Sequence, residues 1–195
     1  MKLFIGVHHA PPTGPGGVGI IMGTQALFHD FVMGPKYPAT HAFVVVETEG
    51  LHWALDGKPP HSEWSPVSLV GGRAVSEYYV IRPQVQALWQ ITGGDVVQGI
   101  KGTRLMNAVK YDWTEIGAAA AAAFSILPGL HKFKMLGNVD LMNDAMICTH
   151  VAVQAMKAVG GDVAHSVALM PDLYPERLAQ VLRASENQWC RRVTP

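Results

Sequence analysis

The stretch Asn143-Asp144-Ala145-Met146-Ile147-Cys148-Thr149-His150-Val151-Ala152-Val153-Gln154-Ala155-Met156-Lys157 sets one of the chain's two cysteines at the start of an apolar segment with helical spacing. Asn143 or Asp144 can serve as N-cap, apolar residues recur at Ile147, Val151 and Ala155, and Gly160-Gly161 supply a left-handed C-cap. Cys148 then falls in the first turn. There the unpaired amides and the positive end of the helix dipole favour a thiolate and can hold an oxyanion formed when the sulfur attacks a carbonyl. A free cysteine on an apolar helix is more often buried packing than a nucleophile. The helix alone does not decide between these readings, and the rest of the chain must.

A chain of 195 residues suits one domain, 1–195, with a sizeable core. Hydrophobic residues at 49% and charged residues at 15% exclude a disordered chain and point to a well-buried one. Fifteen Lys and Arg balance fifteen Asp and Glu, and apart from Arg191-Arg192 the positive charges are scattered, so no basic face for nucleic acid can be drawn. Two cysteines 42 positions apart make no disulfide framework, which suggests a reducing compartment without excluding a single bridge. The start, Met1 to Val7, has one positive charge and a short apolar run leading into histidines and prolines, unlike a Sec signal peptide. The expected location is cytoplasmic, or reached by a signal-independent route. The longest apolar tract, Ile116 to Leu127, is too alanine-rich and too short to span a bilayer.

Along the chain, residues 2 to 7 and Val18 to Met22 read as strands, and Thr24 to about Met33 as a short helix. His8-His9 invites a metal reading, but adjacent histidines on a strand point to opposite faces and no carboxylate or cysteine lies close in sequence, so no metal is expected. The most strand-like segment is Thr40-His41-Ala42-Phe43-Val44-Val45-Val46-Glu47, followed by a turn at Glu49-Gly50 and a returning strand Leu51 to Gly57. A two-residue loop there sets Asp56 opposite Phe43 and puts His41, Phe43 and Asp56 on one side of the sheet, whereas a three-residue loop would turn Asp56 to the other face. His41 and Asp56 become diagonal neighbours within side-chain reach. His52 pairs near Glu47, about 18 Å from His41 at ~3.3 Å per residue, too far to orient it.

Pro59 to Gly72 reads as loop with at most a short strand, and Glu77 to Arg82 as a strand. Helix is expected over Val85 to Ile91, again near Arg104 to Ala108, and from Thr114 through six consecutive alanines to Ile126. A last amphipathic helix follows Pro175 to about Ala184.

A cysteine at a helix start, a histidine opening a strand and an acid on the next strand are the parts of a thiol nucleophile, its base and the group that orients the base. An unperturbed thiol is only about 3% ionised at pH 7, so an imidazolium neighbour is needed. His150 projects some 200° around the helix from the sulfur and cannot replace His41. Cys190 is the rival nucleophile. It stands beside two arginines that would lower its pKa, but with no structured base implied near it.

In order and spacing these pieces resemble the circularly permuted papain-like cysteine hydrolases, relatives of the NlpC-type cell-wall peptidases and the lecithin:retinol acyltransferase-like enzymes. The matching stretches are Gly17 to Gly23; Tyr37-Pro38-Ala39-Thr40-His41-Ala42-Phe43-Val44-Val45; Ala54-Leu55-Asp56-Gly57; Lys110-Tyr111-Asp112-Trp113; Ile147-Cys148-Thr149-His150-Val151; and Leu169 to Tyr174. The likeness covers roughly residues 15 to 180, and its specificity lies in the order of short motifs. Thr40 replaces the usual Ser, the acid of the opening Gly-Asp is missing, and Asp56 stands where Glu is frequent. The resemblance implies an α+β fold: an antiparallel sheet of about five strands with the nucleophile helix packed against it. It implies a catalytic Cys148-His41-Asp56 triad, with Tyr111 as an oxyanion or substrate-positioning group or, equally, a structural aromatic at a helix start. No cofactor is implied. The implied activity is amide or ester hydrolysis or acyl transfer through an acyl-enzyme, with a peptidoglycan stem peptide as first substrate class and a lipid acyl group as second. A non-enzymatic binding or assembly protein on the same scaffold is the competing reading.

Overall fold

The computed structural model describes residues 1–9, 39–57, 60–76, 86–111, 145–146, 148–170 and 175–193. The expected strands at 18–22 and 77–82, the helices at 24–33 and 114–126, and the cap at 143–144 lie outside these residues. Glu49 and Gly50 both take positive φ, 53° and 78°, so the hairpin closes through a tight two-residue turn whose twist suits its strands. It joins β2 (Ala39–Thr48) to β3 (Leu51–Gly57) in the expected register, with Phe43 opposite Asp56 and Glu47 opposite His52.

On one side of this hairpin lie β1 (Lys2–His9), β6 (Gln86–Ile91) and β9 (Cys190–Arg192); on the other lie β4 (Ser62–Val70) and β5 (Arg73–Val75). Among the described residues the order β5-β4-β3-β2-β1-β6-β9 makes a seven-stranded antiparallel sheet, not one of about five. The sheet curls until β5 meets β6, where the amide of Ala74 donates to Gln86 Oε1 at 2.6 Å. A short parallel pair, β7 (Lys110–Tyr111) with β8 (Ala145–Met146), forms a second sheet beside the start of β4, where His61 bridges to Lys110.

Two of the added strands overturn the sequence reading. Ser62–Val70 carries three serines and a proline and reads locally as loop. In the structure it pairs along β3, with Pro66 on a stretch whose other edge meets none of the described strands. Val85 to Ile91 reads as helix, and the Ala, Leu and Gln of this stretch favour that locally, but Gln86–Ile91 is a strand. Pairing with β1 on one edge and β9 on the other overrides the preference. Both faces of β6 are covered, so no polar–apolar alternation announces it.

Curling gives the sheet two cores. The inner one gathers Phe4, Phe43, Val45, Ala54, Val67, Ala74 and Leu88. The outer one sets Leu3, Ile5, Val44, Leu55 and Trp89 against the helices. Four helices are described: α1 (Val96–Arg104), capped by Asp95, which accepts from the Gln98 amide at 3.1 Å; α2 (Cys148–Val159); α3 (Gly161–Ala168); and α4 (Pro175–Ala184). The helix expected near Arg104 to Ala108 thus lies earlier, as α1, where Asp95 supplies the cap. In α2 the buried residues Val151, Ala152, Ala155, Met156 and Val159 recur at helical spacing, which is why the helix lies flat on the outer face. Gly160 and Gly161, at φ 77° and 59°, turn the chain into α3. Among the described residues no helix is long and apolar enough to cross a membrane.

The inner core is tight where Phe43 lies over Gly6, its partner on β1. A Cβ at position 6 would fall 2.1 Å from Phe43 Cζ. Gly6→Ala must displace that ring or spread the strands, and should cost about 1–3 kcal/mol in a urea titration without changing the far-ultraviolet dichroism.

Candidate active site

Strand β2 begins with a bulge. His8 faces His41 but His9 faces Ala39, so Thr40 is an extra residue in the ladder directly before His41. Thr40 is buried, and its hydroxyl donates to the His8 carbonyl at 3.4 Å. Beyond it His41 and Phe43 point to the inner side of the sheet, and because Phe43 faces Asp56, the position opposite His41 lies just past Gly57, the last residue of β3. His41 therefore stands at the rim, with 24% of its side chain exposed. Its Nε2–H donates to Asp56 Oδ1 at 2.5 Å, the diagonal pairing expected from the hairpin. Asp56 itself is buried.

Cys148 arrives from the other face. Helix α2 packs on the outer side of β2 and β3, and its first residue abuts the end of β3: a Cβ built on Gly57 would fall 2.9 Å from Cys148 Cα and 3.2 Å from Val151 Cγ2. Only a residue without a side chain lets the helix start come so close to the strand end. The approach to the helix is also tied down. The backbone of Tyr111 pairs with Met146, two residues before Cys148. The loop before Tyr111 is stitched to β4 by the Ser62 amide donating to the Val109 carbonyl at 2.8 Å, the Ala108 amide to the Ser62 carbonyl at 2.9 Å, and the Val109 amide to Ser62 Oγ at 2.9 Å. Ser62 Oγ–H donates in turn to the Met106 carbonyl.

The electrostatics join the three groups. Burial alone would lower the His41 pKa, but the charge and hydrogen bonding of Asp56 and of Cys148 more than offset it and hold the pKa well above the ordinary 6.5. With Nε2 committed to Asp56, Nδ1 is the ring nitrogen left for the sulfur. The sequence-predicted residues Cys148, His41 and Asp56 are thus brought together at the rim, with Cys148 buried. The side chain of Tyr111 lies outside what is described, so its assigned role extends no further than its backbone position beside β8.

Cys190 is different. It is fully buried on β9, its thiol donates to the Leu182 carbonyl at 3.3 Å, and burial together with the charge of Glu186 pushes its pKa up to about 12. The expectation that Arg191 and Arg192 would lower that value is corrected. Both arginines are exposed and the low-dielectric surroundings dominate. His52 is remote, as expected, bonding Glu47 at 3.2 Å while Lys2 bonds the same carboxylate at 2.9 Å.

His8, which the sequence offers only as a metal candidate, stands beside His41 in the fold. Its ring meets those of His41 and Phe43 edge-on, each at 6.3 Å between centroids. Burial, then the charges of His41 and His9, outweigh the attraction of Asp56 and push its pKa down to about 3, so it is neutral beside the charged pair. The β1–β2 register that sets this contact links residues far apart in the chain, and no local signal carries it. Among the described residues no group of three or more His, Cys, Asp or Glu is arranged to hold a metal ion. Neither the protein-family models nor the curated proteins give a match to this chain.

Two outcomes follow for this site. A His41 pKa raised in the fold contributes stability that is whole below about pH 6.5 and lost as the pH rises through the folded-state value. Urea titrations of the parent and His41→Gln should therefore differ most in acid and converge toward alkaline pH. Gly57→Ala, whose methyl meets Cys148 backbone, should slow alkylation of Cys148 and cost about 1–3 kcal/mol of stability.

Proposed function

We propose that this protein is a thiol-dependent hydrolase of amide bonds, acting through an acyl-enzyme on Cys148. The observation that carries this reading is the His41 imidazole, held on Asp56 by a 2.5 Å bond and raised in pKa by both Asp56 and Cys148. A histidine so placed can take the thiol proton and keep it, leaving a sulfur anion beside an imidazolium. In the proposed reaction the Cys148 sulfur attacks the carbonyl carbon, and the Cys148 backbone amide, at the start of α2, holds the oxyanion. As the tetrahedral intermediate collapses, the C–N bond breaks and His41 gives its proton to the departing amine. Water, deprotonated by His41, then attacks the thioester; the C–S bond breaks, the acid is released, and the Cys148 thiolate is restored beside the protonated His41. Asp56 keeps the ring oriented and stabilises its positive form throughout.

The fold on which this rests is, in our proposal, the permuted papain-like one, and a peptide of the cell-wall stem type is the substrate class assigned first. Supporting it are the antiparallel sheet, the histidine strand ahead of the cysteine helix in the chain, and the acid on the strand next to the histidine. The burial of Cys148 is also what a binding protein with an inert thiol would show, and this keeps the non-enzymatic reading in view.

Iodoacetamide labelling against pH separates the two. With the parent and with Cys190→Ser, labelling of Cys148 is expected well below pH 8, the range of an ordinary thiol, and His41→Ala should reduce it by about tenfold or more at pH 6. A thiol that labels only in alkali, or one indifferent to His41, would overturn the enzymatic reading. Purified cell wall incubated with the parent and with Cys148→Ala, followed by mass analysis of released peptides, tests the substrate class.

A further inference from the structure

Ala39 is the first residue of β2 and is fully buried, so its amide must find an acceptor. The bulge at Thr40 disturbs the ladder to β1 at this point, and the acceptor comes from elsewhere. It is the carboxylate of Glu176 in the first turn of α4, whose Oε2 receives the Ala39 N–H at 2.6 Å. The other oxygen is held by Arg183, seven residues on, at 2.6 Å. Glu176 is buried, which a carboxylate tolerates because both oxygens are engaged and its charge is balanced by the guanidinium. The amide it grips lies two residues before His41.

Building on the proposed pairing of His41 with Cys148, we propose that Glu176 is a positioning residue: it anchors the start of β2 so that the bulge aims the His41 ring at the sulfur. On one side of His41 the ring is held by Asp56, and on the other the backbone is held by Glu176. Loosening the second anchor leaves the imidazole bonded to Asp56 but free to swing with its strand end. Among the described residues, the charged and titratable groups that act on the ring are Asp56 from β3, Cys148 from α2 and His8 from β1, with His9 acting on His8 and Glu63 of β4 opposite Asp56 in the ladder. The groups that raise the pKa of His41 are Asp56 and Cys148; Glu176 is proposed to act through the backbone it holds, and the charge-free Glu176→Gln separates that from an effect of its field.

The test is the pH profile of iodoacetamide labelling in a Cys190→Ser background, with folding checked by dichroism and thermal melting. Glu176→Ala removes the acceptor and should move the labelling midpoint up by about one pH unit and slow labelling at pH 6 several-fold. Glu176→Gln keeps an oxygen for Ala39 while discarding the charge, and its midpoint should stay with the parent. Ala39→Pro deletes the donor, at a strand start where proline is tolerated, and should reproduce the alanine variant. If Glu176→Ala does not fold, Ala39→Pro carries the test by itself. A folded Glu176→Ala or Ala39→Pro with the parent profile overturns the positioning role alone, as does a Glu176→Gln displaced as far as Glu176→Ala. A parent that labels like an ordinary thiol overturns the functional reading beneath it.

Discussion

The constraint that organises this molecule is that one curled sheet must bury both of its faces. The inner face closes on Phe4, Phe43 and Leu88, and the outer face is covered by α1, α2 and α4. A side chain on the inner face and a helix on the outer face are separated by the sheet along most of its extent. They can meet where strands end. His41 and Cys148 meet there, beyond the last residue of β3, with Gly57 as the thin point of the wall. The half-open rim also lets a polar pair exist beside two apolar cores without the full cost of burying charge.

Within that rim, neighbours of the same residue type are driven in opposite directions. His41 is raised because two acidic groups converge on it, and His8, on the facing strand, is pushed down to about 3 because it is buried and faces a positive ring. One histidine is thereby set up to carry a proton and the other is kept neutral. The two cysteines divide in the same way. Cys148 lies within the influence of an imidazole, whereas Cys190 is enclosed, bonded to a carbonyl and held protonated up to about pH 12. A proposal of thiol chemistry therefore concerns one sulfur, and the other is a packing residue of the outer core.

The framework that presents these groups is assembled from distant segments. β2 is held at its start by α4, at its bulge by β1 and along its length by β3. The start of α2 is held by β3 and by the β7–β8 pair, itself tied to the first residue of β4. The nucleophile–base pair we propose would need support of this kind, since an ångström of drift removes the advantage of proximity.

What could be read from the residues alone was whatever rests on local order. The Glu49-Gly50 turn defines a register, and that register brings Asp56 to His41; the apolar spacing after Cys148 defines α2; the pattern from Pro175 to Ala184 defines α4. In each case the information lies within a few residues, because a tight turn and a helical stripe are short-range physics. Tertiary structure decided the rest. It made a strand of Gln86–Ile91 against its own helical preference, turned the serine-rich Ser62–Val70 into the fourth strand, brought His8 beside His41 and reached from Glu176 to Ala39 across the fold. Those contacts satisfy buried amides and close a barrel-like core with partners tens of residues away. Their free energy exists only once the chain has folded, so no local pattern can announce them.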